Sequence, residues 1–193
     1  MKILAIRGKN LASLEGEFEI DFTEEPLKSS GIFAIIGQTG AGKSTILDAL
    51  CLALFDNAPR LNKAEVSVNV HDIEDKTITQ KDSRNILRRG TSEGYAEVDF
   101  RALNGDKYRS RWMVRRARGK ADGALQATSI KLDNLTTDRE EQGTKSNLLN
   151  RVVELIGLTF DQFTRAVLLA QGDFANFLKA KSSEKAELLE KLT

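Results

Sequence analysis

The sequence is poor in the residues and runs that mark several large classes of protein. Its 193 residues include one cysteine and one histidine, too few for an internal disulfide or a cluster of zinc ligands. The cysteine, Cys51, lies in the apolar run LDALCLALF and is expected to be a buried thiol. No apolar run approaches the roughly 18 residues of a membrane span, and the opening MKILAIRGKN becomes charged too early for a secretory signal. These absences predict a cytoplasmic protein.

The charge is nearly balanced overall but uneven along the chain. Hydrophobic residues make up 40% and charged residues 30%, which is the ordinary balance of a globular domain. The net charge at pH 7 is +1, yet the segment 84–120 holds eleven basic and four acidic residues, a local charge of +7. A patch of this size can attract a phosphate polymer even when the whole chain is near neutral.

A glycine-rich stretch, GQTGAGKST at 37–45, matches the pattern of a phosphate-binding loop. It follows the apolar run IFAII at 32–36, which predicts a buried central strand, and it precedes apolar residues at helical spacing. Its glycines let backbone N–H groups point at a phosphate, and the helix start adds its positive dipole end. Lys43 is predicted to contact the β- and γ-phosphates of ATP, and Ser44 to bind Mg²⁺. The predicted nucleotide-binding residues of the loop are Gly37, Gln38, Thr39, Gly40, Ala41, Gly42, Lys43, Ser44 and Thr45.

The remaining patterns predict further strands and helices in an α/β fold. A tight hairpin turn is predicted at Asn104-Gly105, and the helix that starts at Gly42 is expected to end at Pro59. Segment 62–83 shows no periodicity. The last residues, SSEKAELLEKLT, form a helical pattern with no stop signal, which suggests that the helix continues. Strands are predicted at 1–8, 16–22, 95–103, 107–116 and 125–132, and helices at 84–87, at 147–156 with Gly157 as C-cap, and from Phe160 into an apolar strand that reaches Leu169.

The sequence lacks the groups that would complete a hydrolytic site. A P-loop ATPase holds its metal with a second acid at the end of an apolar strand. The nearest candidates, YAEVD ending at Asp99 and SIKLD ending at Asp133, are interrupted by charge. The stretch NKAE at 62–65 has glutamate where the guanine-reading element N-K-x-D has aspartate, which argues against a GTPase. The sequence therefore predicts nucleotide binding without a complete catalytic set.

Several stretches together resemble the amino-terminal half of the SbcC family of bacterial DNA-repair ATPases, which is related to the SMC proteins. They are MKILAIRGKNLASLEGEFEIDF at the start, SGIFAIIGQTGAGKSTILDALCLALF through the loop, APRL at 58–61, ILRRG at 86–90 followed by AEVDF, and FTRAVLLAQGDFANFLKAKSSEKAELLEKLT at the end. Many families share the phosphate loop, whereas the pairing of NLASLEGEFEIDF with LLAQGDFANFLKA is far more specific.

The resemblance implies an ABC-type ATPase head of the P-loop NTPase class that is divided along the chain. The amino-terminal lobe, with a mixed sheet plus antiparallel strands around the P-loop helix, would occupy 1–181, and a coiled-coil helix would start at 182–193. A carboxy-terminal lobe would supply the second acid and a signature loop. Two such heads would form a homodimer around ATP and control an SbcD nuclease partner in double-strand-break repair and recombination.

The resemblance also assigns two residues outside the loop. Gln171, in AQGDF, corresponds to the family's Q-loop glutamine, which reaches the Mg²⁺ and the γ-phosphate region and would be both catalytic and a metal ligand. Residues 10–14 lie where the family approaches the adenosine side of the nucleotide, and Ser13 is the candidate contact among them. On this view the fragment alone is inactive, because its other lobe holds the remaining groups.

The basic segment and the function both leave alternatives open. Arg109, Arg111 and Arg115 share a face of the predicted strand, and they form either a solvated outer face or a contact with DNA phosphates. For Arg88 and Arg89, a place near the nucleotide or the dimer interface is an alternative. Trp112, on the other face, is either core or a base-stacking platform. A self-contained P-loop kinase or transferase, with the basic run 109–118 as a lid, is one alternative function. An SMC-type DNA tether without a nuclease is another.

Overall fold

The computed structural model describes residues 1–30, 34–62, 69–73 and 76–166. Contacts within the chain divide it into one unit of residues 1–156 and a second unit that begins at Gly157. In these described ranges, no helix combines the length and the apolar character that a membrane crossing requires.

The first unit is built on antiparallel strands. The strands are β1 (Lys2–Leu11), β2 (Leu14–Asp21), β3 (Asn69–His71), β4 (Thr77–Thr79), β5 (Glu93–Arg101), β6 (Lys107–Arg115), β7 (Ser129–Asn134) and β8 (Arg139–Glu140). Six of them form one sheet in the order β2-β1-β5-β6-β7-β8, and β3 pairs with β4 in a separate hairpin. Because side chains alternate along a strand, the sheet has an apolar face, which includes Ile6, Val98, Phe100, Trp112 and Leu132, each at most 4% exposed. The opposite face is charged.

One helix covers the apolar face of the sheet. The helices are α1 (Lys43–Phe55), α2 (Pro59–Asn62), α3 (Lys145–Ile156) and α4 (Phe160–Ala166), and a 3-10 turn spans Ser83–Ile86. Helix α1 packs on β1, β5 and β6, and it also contacts α3, which packs on β7. Residues 49–54 of α1 are all at most 4% exposed, because α1 is covered on nearly every side. The phosphate loop therefore leads into the most buried helix of the unit.

Asp56 ties the end of α1 to the surrounding elements. It ends the helix in the left-handed region, at φ 50°. Its carboxylate accepts hydrogen bonds from the Ser83 hydroxyl at 2.8 Å and from the Trp112 indole N–H, and it pairs with Lys145 of α3. Trp112 is fully buried, and its N–H is satisfied as a buried donor must be. The core interpretation of Trp112 is confirmed.

Most of the predicted elements are present with shifted ends. The predicted strands at 1–8, 16–22, 95–103 and 107–116 correspond to β1, β2, β5 and β6. Strand β7 starts at Ser129 instead of 125, and Leu125 forms only an isolated bridge with Arg116. The short helix predicted near Arg84 is the 3-10 turn, and Gly157 has the positive φ, 77°, that the C-cap prediction requires.

The predicted buried strand at 32–36 is wrong for the part that the structure describes. Residues 32 and 33 lie outside the described ranges, and Ala34, Ile35 and Ile36 adopt no strand. Ile36 is 88% exposed. A central strand requires a hydrogen-bonded neighbour on each side, and the described strands pair only with one another. The apolar pattern identified a hydrophobic segment but not a partner for it.

Three further features differ from the predictions: the end of α1, the β5–β6 connection and the β3–β4 hairpin. Pro59 does not end α1; it begins α2, where its missing N–H costs nothing. The β5–β6 connection spans five residues, 102–106, with Gly105 at φ 90°, so it is wider than the predicted tight turn. The β3–β4 hairpin lies in the segment without periodicity. The carboxylate of Asp72, which directly follows β3, accepts hydrogen bonds from Arg116 at 2.8 Å and from the N–H of Leu125 at 3.0 Å.

The second unit is described through α4. The Thr159 hydroxyl accepts a hydrogen bond from the Gln162 N–H at 3.4 Å, and the Gln162 side chain accepts one from the Thr159 N–H at 3.1 Å. This reciprocal pair is a capping box, which explains why the helix starts at Phe160. The apolar strand predicted near Leu169, Gln171 and the predicted coiled-coil start at 182–193 lie outside the described residues.

Candidate phosphate-binding site

The phosphate loop turns into α1 through two glycines in the left-handed region. Gly40 has φ 87° and Gly42 has φ 89°, conformations that cost a residue with a Cβ about 1–2 kcal/mol. The N–H of Ala41 donates to the carbonyl of Gln38 at 3.2 Å, which closes the turn. Residues 34–41 are exposed, and α1 begins at Lys43. The loop therefore presents its backbone to solvent at a helix N-terminus, where an anion is favoured.

Lys43 holds the loop together from within. Its Nζ donates to the carbonyl of Gly37 at 2.6 Å and to that of Gln38 at 2.7 Å. An ammonium has three donors, so one N–H remains for a phosphate oxygen. The side chain thus stabilises the curved backbone and places a positive charge beside it.

The two hydroxyl residues after Lys43 have different surroundings. Ser44 is exposed, so its hydroxyl is accessible to a metal ion. Thr45 is 2% exposed, and its hydroxyl lies 3.2 Å from the Ser13 hydroxyl and accepts a hydrogen bond from Arg60 at 3.3 Å. Arg60 also pairs with Asp48, which is buried in α1. The Thr45 side chain therefore joins the loop to its neighbours, and its backbone N–H donates to the carbonyl of Gly42 at 2.9 Å.

The turn between β1 and β2 packs against the loop. A Cβ on Gly42 would lie 2.4 Å from Cδ2 of Leu14, so the Leu14 side chain rests directly on the glycine. Together with the Ser13 hydroxyl on Thr45, this contact makes the turn one wall of the loop. The structure therefore places Ser13 beside the phosphate loop, and its predicted role toward the adenosine side of the nucleotide stays a prediction.

The predicted site residues divide into two groups. Ser13 and the loop residues 37–45 lie together, and their roles toward ATP and Mg²⁺ stay predictions. Gln171 lies outside the described residues, and its roles stay predictions as well. Sequence reasoning missed Asp48 and Arg60, and it included Leu14 only in the range 10–14 without a role of its own. One signal was available for Asp48, an acid inside an otherwise apolar helix that needs a buried partner.

The charged face of the sheet carries a network of ion pairs. Asp99 of β5 accepts two hydrogen bonds from Arg109 of β6, at 2.6 and 2.7 Å, and one from Arg7 of β1 at 2.9 Å. Arg7 also donates to Glu19 of β2 at 2.7 Å. The network therefore links four neighbouring strands on the side of the sheet that faces away from α1.

The three arginines proposed to contact DNA share this face, as predicted, but they are not equivalent. Arg109 is committed to Asp99, and Arg111 lies over the Tyr95 ring, 4.0 Å from its centroid, with Glu97 at 3.6 Å. Arg115 is exposed and has no ion pair within the described ranges. Acidic neighbours thus reduce the positive potential that the sequence suggested for this strand.

The pKa of Asp99 reflects its two arginine partners. Burial by itself raises the pKa of this carboxyl, but the hydrogen bonds and charges of Arg109 and Arg7 outweigh burial and hold the pKa below its usual value. Burial also raises the pKa of the Cys51 thiol, with a smaller contribution from Asp48. The predicted buried thiol is confirmed.

Replacing Asp99 by asparagine is expected to lower the free energy of unfolding at pH 7 by about 2 kcal/mol, because two arginines lose a charged acceptor. A carboxyl whose pKa is lowered in the folded state stabilises the fold at pH values above its unfolded-state pKa of about 3.9. This stabilisation is lost as the pH falls through the folded-state pKa. Urea denaturation should therefore show the difference at pH 7 and not near pH 2. Asp133→Asn is the control, since Asp133 pairs at 2.9 Å with a half-exposed Lys131 and should cost about 0.5 kcal/mol. Equal losses for both variants would contradict the expectation.

Neither strand-end acid considered from the sequence faces the phosphate loop. Asp99 and Asp133 lie opposite Arg109 in neighbouring strands, on the charged face, whereas α1 covers the apolar face. Their partners are Arg7, Arg109 and Lys131. This placement agrees with the sequence argument that neither is the second acid of the nucleotide site.

The sequence of this chain is similar to the sequences of known proteins. Residues 5–193 match the AAA domain family. Over its whole length the chain is 56% identical to the SbcC component of the SbcCD nuclease of Pseudomonas aeruginosa and 48% identical to the protein of the same name in Rhodobacter capsulatus, and it covers 16% of each. It is also 30% identical, over 98% of the chain and 16% of the relative, to a probable DNA double-strand break repair Rad50 ATPase of Aquifex aeolicus. The chain thus spans about one sixth of the length of these relatives.

These matches agree with the geometry of the loop and with the predicted fold class. The α/β unit, with its largely antiparallel sheet and a phosphate loop at the start of a buried helix, is that of a P-loop ATPase domain. The chain therefore belongs to the AAA domain family of ATPases, with SbcC-type sequence along its whole length.

Proposed function

We propose that this chain is the ATP-binding amino-terminal lobe of an SbcC-type ATPase. The observation that carries the proposal is the phosphate loop, with Lys43 bridging two loop carbonyls and Ser44 exposed beside it. In this role the loop N–H groups and Lys43 hold the phosphates of ATP, and Ser44 and Gln171 ligate Mg²⁺. The cation supplies charge neutralisation on the β- and γ-phosphates when it is bound.

The groups that complete hydrolysis come, in this proposal, from a carboxy-terminal lobe of the same protein and from a second head in a head-to-head homodimer. The support is that Asp99 and Asp133, the two acids closest to the required pattern, pair with basic residues on the charged face. The nucleotide would then bridge the surfaces of the two heads, and its hydrolysis would allow the heads to separate. The lobe boundaries at 1–181 and 182–193 belong to this proposal.

The partner we propose is an SbcD-type nuclease, in a cytoplasmic complex that uses ATP to control cleavage of DNA ends and hairpins in repair and recombination. The names of the relatives support it, since two are components of an SbcCD nuclease and one is a double-strand break repair ATPase. The test is copurification of the full-length ATPase with a metallophosphoesterase, followed by ATP-dependent cleavage of a DNA hairpin. A tether without a nuclease would form no such complex, and a self-contained kinase would transfer phosphate to an acceptor instead.

DNA contact on the charged face is expected to depend on Arg115 more than on Arg109. Replacing Arg115 by alanine should reduce the slope of log affinity against log salt concentration by about 1, because one phosphate contact is lost. Arg109→Ala is the matched control, because its guanidinium is already bound to Asp99. Fluorescence anisotropy of duplex DNA with the assembled ATPase measures both. An unchanged slope for Arg115→Ala would remove this residue from the proposed contact.

A further inference from the structure

Two residues at the connection between β1 and β2 have an unfavourable backbone conformation, one near the end of β1 and one in the turn. Asn10 has φ 52° and Ala12 has φ 43°, in the left-handed region that costs a residue with a Cβ about 1–2 kcal/mol. The Asn10 side chain compensates locally, since it donates to the carbonyl of Glu93 at 3.1 Å and accepts from the N–H of Gly16 at 3.0 Å. Ala12 has no polar side chain, so its conformation is held by other segments of the chain, and its N–H donates to the carbonyl of Ile86 at 2.7 Å.

Arg88 holds this turn from a distant part of the chain. Its backbone N–H donates to the carbonyl of Asn10 at 2.9 Å. Its guanidinium donates to the carbonyls of Ala12 at 3.2 Å and Ser13 at 3.3 Å, and to the carboxylate of Glu15 at 3.1 Å. A planar guanidinium can span such a set of acceptors in one orientation, whereas an ammonium is a single point charge.

The other side of the same turn touches the phosphate loop. Ser13 meets Thr45 through their hydroxyls, and Leu14 rests on Gly42. Arg88 itself contacts the carbonyls of the turn. A guanidinium that fixes two consecutive carbonyls therefore fixes where the Ser13 and Leu14 side chains meet the loop.

We propose that Arg88 is a positioning residue that sets the β1–β2 turn against the phosphate loop and thereby sets the affinity for the nucleoside part of ATP. The inference rests on the proposed function, because it requires ATP at the loop. The loop keeps its own closure through Lys43 and through the left-handed glycines Gly40 and Gly42. In the proposed function the loop therefore binds the phosphates, and the turn beside it, which holds Ser13, would lie toward the nucleoside.

The experiment compares ATP with inorganic tripolyphosphate, which has the phosphates but no nucleoside. With the full-length ATPase, Arg88→Ala is expected to raise the KM for ATP about tenfold and to leave kcat within about twofold, because the reacting atoms are not touched. The inhibition constant of tripolyphosphate should change less than about twofold. Arg88→Lys, which keeps the charge but not the fork, should fall between the wild type and Arg88→Ala.

Two variants serve as controls. Arg89→Ala removes the neighbouring arginine, which is exposed, and should leave both constants unchanged. Glu15→Gln removes only an exposed ion-pair partner of Arg88 and should have an effect below about twofold. If Arg88→Ala fails to fold by circular dichroism, Arg88→Lys carries the test.

Equal weakening of ATP and tripolyphosphate would overturn the proposal, because Arg88 would then only keep the loop folded. No change in either constant would overturn it as well. Failure of the proposed function gives a different result, since the wild-type protein itself would then bind neither ATP nor tripolyphosphate. The two failures are therefore distinguishable in one series of measurements.

Discussion

Replacing Lys43 by alanine is expected to reduce ATP turnover by at least about 100-fold. The change removes the positive charge beside the phosphates, and it also removes the two hydrogen bonds that join Nζ to the carbonyls of Gly37 and Gln38. The loop then loses both its ligand for the β- and γ-phosphates and part of its own support. The measurement is steady-state ATPase activity of the chain assembled with the proposed carboxy-terminal lobe.

Lys120→Ala is the control for loss of one basic residue, since Lys120 is exposed in a loop far along the chain from the phosphate loop. It should leave turnover unchanged. Turnover by the Lys43→Ala assembly at more than about a tenth of the wild-type rate would mean that the phosphates are held elsewhere.

Replacing Gly42 by alanine is expected to abolish measurable ATP binding. The new Cβ would lie 2.4 Å from Cδ2 and 2.9 Å from Cγ of Leu14, and alanine would also have to adopt φ 89°, at a cost of about 1–2 kcal/mol. Either the turn or the loop must move, and both lie at the site. Equilibrium binding of a fluorescent ATP analogue to the assembled protein measures the effect.

Gly40 offers a matched control within the same loop. It has nearly the same φ, 87°, but a Cβ there would meet no atom within 4 Å, so Gly40→Ala carries the backbone strain without the clash. We expect Gly40→Ala to weaken ATP binding about tenfold, which corresponds to the cost of the backbone strain alone. Adding Leu14→Ala to Gly42→Ala should restore binding toward the level of Gly40→Ala. Failure of that second change to restore any binding would contradict the role given to the Leu14 contact.

The phosphate loop could be predicted from the sequence because its chemistry is local. Glycines at fixed offsets, a lysine and a hydroxyl residue lie within nine consecutive positions, 37–45. The spacing of the apolar residues that follow predicts the helix. Trp112 and Cys51 were predicted to be core for the same kind of reason, since each lies in an apolar pattern. The resemblance to a family added Ser13, which no local pattern indicates.

The support of the loop could not be predicted, because the fold assembles it from distant segments. Arg60 reaches Thr45 and Asp48 from the next helix, and Arg88 reaches the β1–β2 turn across more than 70 residues of sequence. Sequence showed that these residues are basic but not which acceptors they meet. The same limit explains the basic face, where the acidic partner of Arg109 lies on the neighbouring strand.

The apolar run at 32–36 shows a second limit. Hydrophobicity predicts that a segment is to be covered, but it does not supply the strands that would pair with it. In the described part of this chain, Ile36 is 88% exposed directly before the phosphate loop.

The central claim is that this chain forms one wall of a composite ATPase site. The most direct test is ATP turnover by the purified 193-residue chain, measured alone and after addition of the carboxy-terminal lobe. We predict no turnover above background for the chain alone, and turnover that appears with the second lobe and is lost with Lys43→Ala. Robust turnover by the chain alone, abolished by the same substitution, would contradict the account.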